Sequence, residues 1–71
     1  MTAKEGIQYL LTKCEQDEPI FILRAQDVLA PKAVLQWAHL AELHGVNEAK
    51  VCGAIEMVHA MDLWPVHRLP D

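Results

Sequence analysis

Four residues, "HGVN" at positions 44–47, constrain the fold of this chain more than any other feature. Glycine is the residue type that most readily takes the left-handed conformation ending a helix, and Gly45 stands where such a stop belongs. Asn47, two residues on, suits a helix N-cap, because its side-chain carbonyl can accept from an amide of the first turn. Val46 and Val51 have the spacing of a hydrophobic staple across that cap. Upstream, Val34, Trp37, Ala38 and Ala41 recur at helical spacing, widened by Ala33, Leu40 and Leu43. Downstream, Val51, Ala54, Ile55, Val58 and Met61 make a second helical stripe. Pro31 fits a first helical turn, where it has no donor to lose, and Pro65 closes the second stripe after Trp64. The pattern predicts two helices, at about 31–44 and 47–63, forming an αα-hairpin.

A third helix is written at about residues 3–15. Thr2 and Glu5 have the spacing of a capping box, and Ile7, Leu10, Leu11 and Cys14 follow on one face. "EQDEP" ends it, since Pro19 pushes Glu18 away from the helical region. The run "PIFILRA", residues 19–25, reads two ways. Its isoleucines and phenylalanine suit a short strand. The spacing of Phe21, Ala25, Val28 and Leu29 suits a further short helix. A lone strand cannot satisfy its own amides, so the first reading implies pairing with a second subunit across a dimer. The tail "VHRLPD" reads as short and extended. The expected architecture is one small, mainly α domain over residues 1–71, a bundle of about three helices.

A chain of 71 residues buries only roughly 60% of its unfolded surface, and domains of this size are commonly completed by disulfides, a metal or a partner subunit. Its hydrophobic fraction is 52%, and the apolar arcs of the two hairpin helices are wider than one neighbour covers. The surplus predicts a homo-oligomer, a dimer or higher. Cys14 and Cys52 lack any metal or redox spacing and read as two reduced, buried thiols rather than a disulfide. "MTAKEGIQYL" carries a glutamate where an export signal would be apolar, and no apolar run approaches the ~18 residues that span a bilayer. The expected setting is cytoplasmic.

The formal net charge is −4, with six basic residues scattered along the chain. Nucleic-acid binders concentrate such residues, because phosphate contacts supply most of their affinity, so direct nucleic-acid binding is not expected. Read as a helix-turn-helix, the second helix of the pair would offer only Lys50. Nor is a catalytic set assembled. The chain has no serine, its three glycines are isolated, and "EQDE" beside Cys14 opposes a thiolate. His39 and His44 lie on different faces of their helix. Glu56 and His59 have the spacing used in dinuclear carboxylate bundles, but such centres need a second pair and further inward glutamates. No catalytic residue, metal or cofactor is expected.

One polar cluster is left as a candidate site: Arg24, Gln26 and Asp27, with Lys32 and Trp37 following. In the plain reading Arg24 pairs with Asp27 or with an acid of the 15–18 turn, while Asp27 or Gln26 caps a turn. In the functional reading the five residues contact a partner or ligand. Arginine offers a planar fork for carboxylate or phosphate, and tryptophan a flat face.

The stretches "EPIFILRAQD", "APKAVLQWA" and "MDLWP", with a basic tail ending "LPD", resemble a group of small uncharacterised proteins encoded by bacteriophages and prophages. The resemblance covers about residues 17–71. It implies an accessory product acting in the bacterial host cytoplasm and carries no assigned activity. Small accessory products of this kind act by binding a host defence or regulatory protein, or by sequestering a signalling nucleotide. The expected function is therefore a non-enzymatic, self-associating protein that binds and inhibits a host protein. The alternatives are sequestration of a small anionic ligand and a structural or assembly subunit without ligand.

Overall fold

The computed structural model describes residues 1–70 as three helices: α1 (Ala3–Lys13), α2 (Ala30–Leu43) and α3 (Glu48–Leu63). Each boundary lies close to the sequence expectation, and the caps show why. The Thr2 hydroxyl accepts from the Glu5 amide, and the Glu5 carboxylate accepts from the Thr2 amide at 3.1 Å, which completes the capping box. Asn47 accepts from the Ala49 amide at 2.8 Å at the start of α3. Between α2 and α3, Gly45 has φ of 75°, the only positive φ among the described residues. Its amide reaches the Glu42 carbonyl at 3.1 Å, and the Val46 amide reaches Ala41 at 3.0 Å. These are the paired bonds of a Schellman stop, satisfying carbonyls that the end of α2 would otherwise leave open.

The same turn starts the core. Val46 packs on Ala38, Ala41 and Val51, so the residue that stops α2 also staples α3. Alanine at 38 and 41 lets the two helices approach closely. Ala30, Val58 and Met61 extend the buried set along the hairpin. The core stays small: among the described residues no large side chain is fully buried, and the packing between helices lies between α2 and α3.

α1 stands apart, with no residue buried and no packing against α2 or α3. On its apolar face Leu10 and Cys14 are half-buried, while Ile7 and Leu11 are exposed. The thiol expectation needs correction. Both cysteines are free, but Cys14 is half-buried and Cys52 exposed, because Cys52 falls on the outer side of α3 beside the buried Val51. Residues 19–25, expected as a short strand or a further short helix, form neither: they are no helix, and within the single chain they have no neighbour to make a strand with. Residues 18–24 pass without turn or bend, and residues 19–23 make no backbone hydrogen bond among the described residues. Phe21 is 86% exposed and Ile22 69%. No helix among the described residues is long and apolar enough to cross a membrane.

Candidate functional site

The site grows from the lead-in to α2. The Asp27 carboxylate accepts from the Leu29 amide at 2.8 Å, its carbonyl from Ala30 at 3.0 Å, and its amide donates to the Arg24 carbonyl at 3.0 Å. Asp27 is thus a turn-former, the role its short acidic side chain predicts. Beyond α3 the chain comes back to the same place. The His67 ring bonds the Met61 carbonyl at 3.1 Å; a carbonyl only accepts, so Nε2 carries the proton. The Arg68 amide then donates to the Gln26 carbonyl at 2.8 Å, and the Arg68 carbonyl accepts from Val28 at 3.1 Å, forming a parallel bridge with Asp27.

This bridge closes one side of a groove of about 340 Å³ lined by Phe21, Ile22, Arg24, Gln26, Asp27 and the tail residues from Arg68 to Pro70. Three of the five residues proposed from sequence therefore meet: Arg24, exposed, with Gln26 and Asp27, half-buried. Lys32 and Trp37 do not join them. Both lie on α2 and are exposed, Trp37 at 49%.

Sequence reading missed Arg68, which lines the groove with Arg24. Its only local signal is a single arginine in the short tail "VHRLPD". Only the backbone bridge, closed across the whole hairpin, brings it to the groove that Arg24 lines. The expected pairing of Arg24 with Asp27 is replaced by a backbone bond, and the Asp27 carboxylate faces the Leu29 amide. The acidic turn is locally occupied as well: one Glu18 carboxylate oxygen accepts from the Glu15 amide at 3.1 Å.

The groove is lined by two arginines, one glutamine, one aspartate and an apolar wall. Such a lining can grip a planar anion while covering an apolar body. Among the described residues no polar or charged side chain is buried, and no three metal-binding side chains gather. Away from the groove, Glu5 sits in the capping box of α1. Its carboxyl is held below the ordinary value by the Thr2 amide first and the Thr2 hydroxyl second.

By fold the chain is a small α-protein: an αα-hairpin, a helix standing apart and an open groove at the junction of loop and tail. Compared with family models, curated proteins and solved structures, it matches none.

Proposed function

We propose that the protein is a self-associating, non-catalytic binding protein of the phage accessory type, which inhibits a host defence or regulatory protein by occupying its surface. One observation carries this reading. The accessible surface is 6184 Å², whereas a compact chain of 8.0 kDa exposes about 4,450 Å² by the usual scaling. The excess is roughly 1,700 Å², about twice the ~800 Å² that each partner contributes to a standard interface. Much of it is apolar, including Leu11, Phe21, Leu43 and Leu63, each more than three-quarters exposed. A second copy accounts for part of such a surface, and a partner of another kind for the rest.

Affinity capture from bacterial lysate tests this, with the double variant Leu43→Glu, Leu63→Glu as control. The proposal expects a stoichiometric partner on the parent chain that the variant loses. Recovery of no such partner contradicts it.

A second reading, capture of a small anion such as a signalling nucleotide, is favoured by Arg24 and Arg68 sharing one groove. Thermal-shift screening against cyclic and linear nucleotides tests it. A rise in melting temperature that survives Arg24→Ala removes this site.

A further inference from the structure

The run before the groove is an uncapped edge. No carbonyl of residues 19–23, and no amide of Ile20, Phe21, Ile22 or Leu23, takes part in a backbone hydrogen bond among the described residues. The run is free of turn or bend, and Ile20, Phe21 and Ile22 are all exposed. An open, apolar edge of this kind templates pairing with another chain. The sequence of the edge indicates which chain.

We infer that two copies pair antiparallel through residues 18–24, in the register that sets Phe21 opposite the Phe21 of the second copy. This inference rests on the self-association reading and names its surface. A two-fold axis perpendicular to a two-stranded ribbon requires one residue to face its own copy. With Phe21 on the axis, Ile20 faces Ile22 and Glu18 faces Arg24, so every outer pair is aliphatic or of opposite charge. With Ile20 on the axis, Arg24 faces Gln16 and the charge pair is lost. With Ile22 on the axis, Arg24 faces Ile20. Only the Phe21 register is complementary along its whole length.

The backbone agrees with that register. Pro19 has no amide to donate, so it must lie at a position whose N–H side points away from the neighbour. Residues 21 and 23 share that orientation by strand alternation, which makes Phe21–Phe21 a non-hydrogen-bonded pair, the closer kind, with Cα atoms roughly 4.5 Å apart. The ladder bonds then join Ile20 to Ile22 in both directions. At the next position out, the Glu18 amide is already bonded to the Glu15 carbonyl and the Arg24 carbonyl to the Asp27 amide. The ribbon ends where its ends are taken. The second Glu18 carboxylate oxygen is left to meet the arginine.

Single cysteines placed at 20, 21 or 22, in a background with Cys14→Ala and Cys52→Ala, read the register under mild oxidation. A disulfide needs Cα atoms about 4.4–6.8 Å apart, which only the self-facing position offers. The Phe21→Cys chain is expected to cross-link to itself fastest, and a mixture of Ile20→Cys and Ile22→Cys chains to form the mixed dimer. Charge reversal gives a second measurement by sedimentation. Glu18→Arg or Arg24→Glu alone should weaken the dimer by roughly tenfold, since each change acts twice across the axis, and the double swap should restore it. Faster cross-linking at 20 or 22, or a double swap that does not restore association, overturns the inference. If the parent chain associates but none of the three cysteines cross-links, the inference falls and self-association stands on another surface. A parent chain that stays monomeric removes both.

Discussion

Asp27 and Arg68 lie side by side as a parallel bridge, with Arg68 bonded to the residues on either side of Asp27. Parallel neighbours need a long crossover between them, and here the αα-hairpin itself is the crossover. The bridge ties the tail back to the start of α2 and sets two arginines on one groove.

The backbone and side chain of Arg68 therefore do different work, and two substitutions separate them. Arg68→Pro removes the amide that bonds Gln26, at a local cost of about 0.5–1.5 kcal/mol, so hydrogen exchange at the Val28 amide should quicken by up to roughly tenfold. Arg68→Ala keeps both backbone bonds and should leave that exchange unchanged. Equal effects from the two variants would contradict the division.

Asp27 organises the lead-in to α2 through the Leu29 amide. Asp27→Ala leaves that donor without its side-chain acceptor, costing roughly 1 kcal/mol, as loss of a helix cap does. The melting temperature should fall by about 4–8 °C, the shift expected of 1 kcal/mol in a domain this small. Asp27→Asn, which keeps an acceptor oxygen, should recover most of the loss.

Two glycines should respond to alanine with opposite signs. Gly45 has φ of 75° and open space where a Cβ would sit, so Gly45→Ala costs conformational strain alone, about 1–2 kcal/mol. Gly53 lies inside α3, also in open space, and Gly53→Ala should stabilise the hairpin by about 1 kcal/mol through helix propensity. Denaturant midpoints of the two variants on either side of the parent check the pair.

The capping box makes α1 sensitive to acid. The carboxyl of Glu5 has its pKa lowered from 4.5 in the folded chain, the Thr2 amide being the first cause. A depressed folded pKa means that the ionised carboxylate stabilises the helix above the unfolded value, and that this contribution disappears as pH falls through the lowered one. Helicity of α1, followed by residue-resolved NMR, should therefore decline below pH 4.5. Glu5→Gln should flatten that decline. An unchanged acid profile in Glu5→Gln would contradict the assignment.

The helices were legible because their ends are encoded locally. Thr2 with Glu5, Gly45, and Asn47 with Val46 and Val51 each act within a few residues, and each does what its chemistry predicts. The groove was half legible. Asp27 announces a turn, and Arg24 and Gln26 lie beside it in sequence. Arg68 comes from the far end of the chain, and a single backbone bridge leaves no periodic trace for a reader to find. Residues 19–25 resisted reading for a related reason. Their apolar character fits either a strand or a helix, and the chain itself supplies neither a neighbour to pair with nor a buried face to wind against. Lys32 and Trp37 looked close in sequence, but the helix that begins at Ala30 carries them away from the groove.

The proposal depends on apolar surface that one chain leaves wet. Sedimentation equilibrium of the parent chain, from micromolar to millimolar concentration, measures the consequence directly. The account predicts reversible association to a mass at least twice the 8.0 kDa of the chain. A single folded species of 8.0 kDa across the whole range would contradict it.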